Sequence, residues 1–486
     1  MIDQAILEKY ELVVGLEVHS QLTTASKIFA SDPTTFGEDP NVNISPITLA
    51  LPGTLPKVNK GVIESSIKMG LACNCRISEY QFFDRKNYFY PDLPKGYQTT
   101  QDKTPICIGG HVDVVTKNGD PFTVVLNRIH MEEDAGKSTH LEGSPDTLVD
   151  LNRAGVPLME IVTEPCIHDS AVAAAFVGEI RKTVRYLGIG DGNMEEGSLR
   201  CDANVSVRLK GSTELGEKCE IKNMNSMRNI QKAIEYEMQR QIQLIEKGEE
   251  IISETRTFNV DTGKTYGMRT KETLNDYRYF PCPDLPPMIV KQELVEKIKA
   301  EMPSLPAELI KKFTSEYKLP EYDARLLTEA KDSAQYFEEL CSSTKNYKAA
   351  SNWMMGPLKS LLNETGGDFD AFPIRPKQVA EMIALVDAKK VSFAAASQNL
   401  LKALASKPEV SVEGLAKELD LIQDSGDDFL LPLIDEAIAK FPDKAKAYKK
   451  GKKNLLGLFM GEVMKMAKGK ADPQKTNQLL REALEK

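Results

Sequence analysis

Apolar and polar residues alternate in many short segments of the chain between residues 10 and 287, and Gly, Pro and Asn separate these segments. Because successive side chains of a strand point to opposite faces of a sheet, this pattern predicts a β-rich domain. Two longer segments, 169–187 and 226–247, instead space their apolar residues as a helix does. Each begins at a residue that caps helices and is followed by glycine. We therefore expect two helices inserted among the strands.

The alternation nearly disappears beyond about Met288, and helical spacing replaces it. We expect a helical bundle around Trp353 and, further along, a smaller helical module. The last helix is predicted to begin at Pro473, with Asp472 as its N-cap. The pattern predicts an α+β fold with three domains: a β-rich domain over 1–290, a helical domain over 291–405 and a small helical tail over 406–486.

The segment 123–139 carries an imidazole and two carboxylates on one face of a predicted strand. Since side chains alternate across the pleat, the residues that share this face are Arg128, His130, Glu132 and Asp134. Polar faces of other predicted strands add Glu17, His19, Glu160, Asp202 and Asn204. If these faces converge, the oxygen-rich set suits Mg²⁺, which is commonly shared with substrate phosphates. A zinc site would need more His or Cys ligands.

Residues 81–101 are rich in aromatic and basic side chains and contain two prolines. This composition predicts a surface loop with restricted backbone angles. Aromatic faces beside Arg85, Lys86 and Lys95 suit contacts with a nucleotide or a phosphate, although a loop packed on its own domain would look the same. Lys86 and Lys95 are the best candidates for holding a transferred phosphate or steering a polar reactant.

The length of 486 residues exceeds what one core can organise, and 41% hydrophobic with 27% charged residues is typical of a globular protein. No run approaches the roughly 18 apolar residues that a membrane helix needs. Residues 1–9 resemble neither a signal nor a transit peptide, so we expect a cytoplasmic protein. Among the eight cysteines only Cys73 and Cys75 are neighbours, and we expect buried or idle thiols.

A basic segment interrupts this acidic chain, whose formal net charge is −9. Residues 444–470 contain nine lysines and a single acid, Glu462. Such a concentration of positive charge offers a binding surface for a polyanion, for example a nucleic acid. A solvated helix face would have the same composition, so both interpretations stand.

Three common catalytic motifs are absent from the sequence. Gly136–Thr139 resembles the end of a phosphate-binding loop, but Met131 stands where the first glycine of that motif is required. There is also no Gly-x-Ser-x-Gly elbow and no glycine-rich stretch with paired serines. Nucleophilic hydrolysis and a standard nucleotide-binding loop are therefore not expected.

Six blocks in order mark a family resemblance: GLEVHSQL at 15–22, YPDLPKGYQ at 90–98, RIHMEEDAGK at 128–137, NRAGVPL at 152–158, GSLRCDAN at 197–204 and DYRYFP at 276–281. Val463-Met464 and GKADP at 469–473 extend the match toward the C-terminus. With these motifs the chain resembles the B subunits of the glutamyl/aspartyl-tRNA amidotransferases, which correct mischarged Glu-tRNA(Gln) or Asp-tRNA(Asn). The resemblance implies a cradle-shaped β-rich domain, a helical domain and a tail that binds tRNA.

The resemblance also implies a reaction and its partners. The chain would use ATP and Mg²⁺ to phosphorylate the side-chain carboxylate of the tRNA-bound amino acid. Ammonia released by the amidase, the A component of a heterotrimer with a small C component, would displace the phosphate. By motif position the implied metal residues are Glu17, His19 and Glu132, with Glu160, Asp202 and Asn204. Glu132, Lys86 and Lys95 would be catalytic, and the two lysines would line the ammonia path or meet phosphate.

Two other functions remain compatible with the sequence. The chain could be a non-catalytic scaffold that binds tRNA through its tail and holds partner proteins. A metallohydrolase built on the carboxylates would hydrolyse its substrate without ATP. The preference between the two mischarged tRNAs and the residues that contact adenine have no sequence signal.

Overall fold

The structure, a computed structural model, describes residues 3–141, 143–270, 277–423, 427–467 and 471–485. Asp276 of the sixth block and Gly469 and Lys470 of the C-terminal match lie outside these residues. The chain forms two compact units, Met1–Leu305 and Pro306–Lys486. The fold is α+β, with a large mixed sheet in the first unit and helices in the second. The division into three domains stays a prediction.

The described strands all belong to the first unit. They are β1 Tyr10–Gln21, β2 Arg76–Ile77, β3 Tyr80–Gln81, β4 Asp84–Asn87, β5 Tyr97–Thr100, β6 Cys107–Ile108, β7 His111–Val115, β8 Pro121–Glu133, β9 Lys137–His140, β10 Thr147–Asp150, β11 Pro157–Thr163, β12 Leu199–Leu209, β13 Cys219–Met224, β14 Glu254–Asn259, β15 Lys264–Thr270, β16 Phe280–Pro281 and β17 Met288–Ile289. Ten of them form one sheet in the order β15-β14-β13-β12-β1-β11-β8-β6-β2, with β7 also paired to β8. Its β13–β14 pair is parallel.

Among the described residues of the first unit, five helices accompany these strands: α1 Gln4–Leu7, α2 Lys60–Ala72, α3 Ser170–Leu187, α4 Met227–Glu246 and α5 Gln292–Glu301. Both predicted helices are confirmed as α3 and α4. The Asp169 carboxylate accepts the N–H of Ala171 at 2.7 Å, and Gly188 ends α3 in the left-handed conformation at φ 65°. Helix α2 was not predicted, because Ser66 and Gly70 occupy buried positions of this helix and interrupt the spacing of its large apolar residues.

One face of strand β1 packs in the apolar core, and its other face belongs to the polar face of the sheet. It lies between β11 and β12 in the strand order. Val14, Leu16 and Val18 are completely buried in the main apolar core, to which α3 and α4 also contribute. The residues between them point to the opposite face. The alternation along the sequence therefore predicts the correct face for Glu17 and His19.

The expectation that residues 81–101 form a loop is wrong. Strands β4 and β5 form an antiparallel ladder that pairs Asp84 with Thr100 and Asn87 with Tyr97, and β16 extends it on the other side of β4. The prolines lie only in the connection at 88–96, so they do not interrupt either strand. The buried Asp84 carboxylate accepts the N–H groups of Asp102 and Lys103 and ties down the end of this hairpin.

The second unit is helical throughout its described residues. Its helices are α6 Pro306–Ser315, α7 Glu321–Leu327, α8 Lys331–Ser343, α9 Tyr347–Trp353, α10 Lys359–Thr365, α11 Pro376–Asp387, α12 Phe393–Ala395, α13 Leu401–Ser406, α14 Val412–Glu418, α15 Asp427–Lys440, α16 Pro442–Lys449, α17 Leu456–Met466 and α18 Pro473–Glu485. Two π-helical turns, Met354–Leu358 and Ala396–Leu400, and a 3₁₀ turn, Lys453–Leu455, join some of them.

Two details of the second unit agree with the sequence. Trp353 is buried, with its ring edge-to-face against Phe393 at 5.4 Å between centroids. The Asp472 carboxylate accepts the N–H of Lys475 at 2.7 Å at the start of α18.

In the first unit Cys73 and Cys75 are buried free thiols, as expected. None of the helices that the structure describes is long and apolar enough to span a bilayer.

Candidate active site

The register of four neighbouring strands assembles the polar face of the large sheet. Strand β1 places His19 opposite Glu160 of β11, and Glu160 in turn lies opposite His130 of β8. On the other side β1 places Glu17 opposite Asp202 of β12. Directly paired residues point to the same face of a sheet. Side chains that are far apart in the sequence therefore converge on one face, a condition that the alternation within each strand left open.

A cavity of about 880 Å³ lies over this face. The predicted site residues that line it are Glu17, His19, Lys86, Glu132, Glu160, Asp202 and Asn204. Tyr88, Tyr277 and Tyr279 line it as well. Their rings form an edge-to-face row, with 5.8 Å between the centroids of Tyr88 and Tyr277 and 6.5 Å between those of Tyr277 and Tyr279. The cavity combines ionisable groups with aromatic rings.

The first cluster in the cavity contains His19, Glu132 and Glu160. The Nε2 atom of His19 lies 3.7 Å from Oε1 of Glu132 and 3.3 Å from Oε2 of Glu160. His130 stands on the other side of the same carboxylates, with its Nε2 atom 3.3 Å from Oε2 of Glu160 and 3.8 Å from Oε2 of Glu132. Two imidazoles thus enclose two buried or nearly buried carboxylates.

The charges of this cluster stabilise one another. Burial by itself would lower the pKa of His19 and His130, but Glu160 and Glu132 raise the pKa of both imidazoles to about 9. Burial opposes ionisation of Glu160, yet His130 and His19 hold its pKa well below the usual value. A divalent cation on His19 would displace the proton of this imidazole, so binding would release protons.

A second cluster lies beside the first and contains Glu17, Asp202 and Glu220. Glu17 accepts a hydrogen bond from Nδ2 of Asn204 at 2.9 Å. Burial and the nearby Glu160 raise the pKa of Glu17. Glu220 is absent from the predicted ligands, although the two-residue spacing of Lys218, Glu220 and Lys222 puts their side chains on one strand face, and this spacing is the signal that could have found it.

Both clusters have donor sets that fit a divalent cation. The first offers one imidazole nitrogen and two carboxylate oxygens, and the second offers three carboxylate oxygens. Within each cluster the donor atoms lie within 4.8 Å of one another. Oxygen ligands of this kind suit Mg²⁺. Asn204 contacts Glu17 through its amide nitrogen, and its role as a direct ligand stays a prediction.

The two predicted lysines lie in different places. The Nζ atom of Lys86 is 4.8 Å from the ring centroid of Tyr277 inside the large cavity. Burial opposes its charge, but Glu132 and other neighbours keep the pKa of Lys86 raised. Lys95 instead forms an ion pair with Glu133 and lines a smaller cavity of about 210 Å³. Consecutive residues of β8 point to opposite faces, so the structure does not bring Lys95 to the carboxylate clusters.

Asp134, from the same predicted polar face, is held by basic and amide groups. Both of its oxygens lie 3.0 Å from Nη2 of Arg200, and Oδ2 accepts from Nε2 of Gln21 at 2.8 Å. Burial opposes its ionisation, but Arg200 and Arg153 keep the pKa of Asp134 low. These bonds give Asp134 a supporting role, and it lines both cavities.

Comparisons with known proteins cover nearly the whole chain. Residues 12–296 match the family model described as the GatB/GatE catalytic domain, and residues 335–484 match the one described as the GatB domain. Three relatives are named as B subunits of aspartyl/glutamyl-tRNA(Asn/Gln) amidotransferases. The protein of Thermodesulfovibrio yellowstonii is 47% identical over 97% of this chain and 98% of its own length. Those of Caldicellulosiruptor saccharolyticus and Chlorobium limicola are 46% and 47% identical over 98% of this chain and their full lengths.

Proposed function

This chain belongs to the family of B subunits of the aspartyl/glutamyl-tRNA(Asn/Gln) amidotransferases, and on that premise we propose that it amidates mischarged tRNA. Its substrates would be Glu-tRNA(Gln), Asp-tRNA(Asn) or both, and its products Gln-tRNA(Gln) and Asn-tRNA(Asn). ATP would be the phosphoryl donor and Mg²⁺ the cofactor. A partner glutaminase, the amidase component, would supply ammonia within a heterotrimer completed by a small third protein.

The observation that supports this proposal most directly is the pair of carboxylate clusters around one cavity that also holds Lys86. Phosphoryl transfer needs positive charge around the transferred group rather than a nucleophile from the protein. His19, Glu132 and Glu160 would hold one Mg²⁺, and Glu17, Asp202 and Glu220 a second. Bound Mg²⁺ neutralises phosphate charge and orients the triphosphate. The aromatic row beside Lys86 offers rings that suit contact with a nucleotide.

The chemistry balances in two steps. The side-chain carboxylate of the tRNA-bound amino acid attacks the γ-phosphorus of ATP, and ADP leaves. Ammonia then attacks the resulting acyl phosphate, inorganic phosphate leaves and the nitrogen loses a proton. Lys86 would face the phosphoryl group in the first step. Lys95, beside the smaller cavity, is the candidate for steering the polar reactant in the second.

The proposed tRNA contacts follow the domain organisation predicted from the sequence. The β-rich part would form a cradle for the acceptor end, and the helical tail from about residue 406 would bind the body of the tRNA. A separate apolar cluster within residues 430–484 supports an independently packed tail. Lys444, Lys446 and Lys449 of α16 are exposed and belong to the basic segment of this tail.

Release of γ-phosphate from ATP tests the proposal. The chain is purified with its amidase partner and assayed with ammonium salt in place of glutamine, with and without Glu-tRNA(Gln) or Asp-tRNA(Asn). Phosphate release that requires mischarged tRNA and yields the amidated product is the expected result. No release with either tRNA would favour the tRNA-binding scaffold, for which the basic tail is the supporting observation. Metal-dependent hydrolysis without ATP would favour a metallohydrolase.

The tail lysines are expected to set the salt dependence of tRNA binding. Neutralising four exposed lysines should weaken binding about tenfold and reduce the slope of log K against log salt by about 0.7–0.9 for each phosphate that is no longer neutralised. Filter binding at several salt concentrations measures both. Substitution is preferable to truncation at 406, because α14 packs against α11. The lysines to be replaced by Gln are Lys444, Lys446, Lys449 and Lys450.

A matched variant separates this effect from a general loss of charge. It removes four exposed lysines from other parts of the second unit and should leave affinity and slope nearly unchanged. If the tail variant binds tRNA with the same affinity and slope as the unchanged chain, the basic segment is only a solvated surface. The control lysines are Lys311, Lys345, Lys359 and Lys377.

A further inference from the structure

The ammonium group of Lys222 lies between two carboxylates of the second cluster. Its Nζ atom is 2.7 Å from Oδ2 of Asp202 and 2.9 Å from Oε1 of Glu220. The other oxygen of Glu220 accepts from the hydroxyl of Thr255 at 2.9 Å. Glu17, the third carboxylate, is held by Asn204 instead. Lys222 therefore occupies the position at which two of the three carboxylates would meet a cation.

This arrangement distinguishes the second cluster from the first. In the first cluster the positive partners of the carboxylates are imidazoles, and a neutral imidazole is itself a metal ligand. An ammonium group has three donors and no lone pair, so it cannot coordinate a metal. A cation that enters the second cluster must displace Lys222. The displaced charge then needs another anion in the same cavity.

We propose that Lys222 is an internal counter-ion of the second cluster. Its ammonium group excludes a free divalent cation, and this group moves to the triphosphate when cation and nucleotide bind together. This inference rests on the proposed function, because it takes the triphosphate of ATP as the incoming anion. Lys222 is suited to the exchange, since its side chain is 31% exposed, lines the cavity and ends a flexible four-carbon stem. It would thus be a positioning residue for phosphate that couples the second cation to the nucleotide.

Lys222→Met should change two affinities in opposite directions. Loss of the ammonium leaves Asp202 and Glu220 without the positive charge that contacts both of them, so a free divalent cation should bind the second cluster at least about tenfold more tightly. The complex of the cation with a non-hydrolysable ATP analogue should bind at least about fivefold more weakly, because the variant has no ammonium to meet the phosphate. A merely structural role would not raise one affinity while lowering the other.

Titration of the full-length chain with Mn²⁺, followed by the electron paramagnetic resonance of the free ion, measures these affinities without any turnover. The unchanged chain should bind one Mn²⁺ tightly and a second only with adenylyl imidodiphosphate present. The Lys222→Met variant should bind two without nucleotide. Lys222→Gln is the second variant if the methionine variant does not fold, and it should behave in the same way.

Two further variants serve as controls. Lys218→Met removes the same charge from the same face of the β13 segment and the same cavity, and among the described ion pairs Lys218 has none with the cluster. It should change Mn²⁺ affinity less than about threefold. Lys222→Arg keeps the charge and should retain the nucleotide requirement for the second ion.

The outcomes separate this inference from the proposed function. If the unchanged chain and Lys222→Met bind free Mn²⁺ with the same stoichiometry and affinity, Lys222 is not a counter-ion that excludes the cation, whereas the proposed reaction still stands. If Lys218→Met binds free Mn²⁺ as tightly as Lys222→Met does, the change in affinity comes from the general loss of positive charge in the cavity. The specific contact of Lys222 with the cluster would then not explain it, and the inference fails. If the unchanged chain binds no Mn²⁺ with or without the nucleotide, the metal-dependent function itself fails.

Discussion

Replacing Glu132 by Gln is expected to lower tRNA-dependent release of γ-phosphate by at least about 100-fold, while tRNA affinity changes less than about twofold. The Glu132 carboxylate is buried, lies near both His19 and His130, and is one of three donors in the first cluster. A neutral amide of the same shape would bind Mg²⁺ more weakly than the carboxylate, so the site would lose the cation that balances the phosphoryl charge. Single-turnover phosphate release and filter binding of tRNA measure the two effects separately.

Glu11→Gln provides the matched control for this experiment. Glu11 lies on β1 outside the cavity and pairs with Arg208 at 2.6 Å. The same chemical change there should leave phosphate release within about twofold of the unchanged chain. If Glu132→Gln also leaves phosphate release unchanged, the phosphorylating site is not in this cavity. Parallel loss of tRNA affinity would instead indicate a structural defect.

Glu237→Ala is expected to lower the free energy of unfolding of the first unit by about 3 kcal/mol or more. This carboxylate on α4 is completely buried. It lies 2.6 Å from Nη2 of Arg240 and 3.4 Å from Nε of Arg256, and it accepts from the hydroxyl of Thr265 at 2.9 Å. Its removal leaves the Arg240 guanidinium without its closest carboxylate and takes one of two carboxylates from Arg256, which keeps its ion pair with Glu254. Urea unfolding followed by hydrogen exchange in α4, β14 and β15 would locate the loss.

The pH dependence of stability gives this prediction a second test. Burial opposes ionisation of Glu237, but Arg240 and other donors keep its pKa below the usual value. A group with a lowered pKa stabilises the folded state above its unfolded pKa, and this contribution is lost as the pH falls through the folded pKa. The stability difference from Glu237→Ala should therefore be full near neutral pH and shrink below about pH 4.5. Glu235→Ala, on the exposed side of α4, should change stability by less than about 1 kcal/mol.

The faces of the long strands could be predicted from the sequence, because the two-residue repeat of a strand is fixed by covalent geometry. It was enough to place Glu17 with His19 and His130 with Glu132. Which strands are neighbours could not be predicted in the same way. Strand β1 pairs with β11 and β12, which lie more than a hundred residues further along the chain, and the sequence carries no local signal for this register.

The incorrect and missed elements have specific physical reasons. The prolines of the segment 88–96 hid the hairpin of β4 and β5, because they belong to its connection. Glu220 and Lys222 share one face of β13, but their position beside Asp202 depends on the pairing of β13 with β12. The alternation also implies that Glu133 points away from Glu132. The ion pair of Glu133 with Lys95 became visible only in the folded chain.

Because β1 lies between β11 and β12, its backbone fixes the distance between the two clusters. Glu17 and His19 are two residues apart on one strand, so their separation along it is about 7 Å, the repeat of the pleat. The backbone ladder fixes this interval, and loops contribute nothing to it. Insertions in the surrounding loops should therefore leave the spacing intact. A slip of β1 by one residue would turn both side chains to the opposite face of the sheet. A change in the register of this one strand would therefore disrupt both clusters at once.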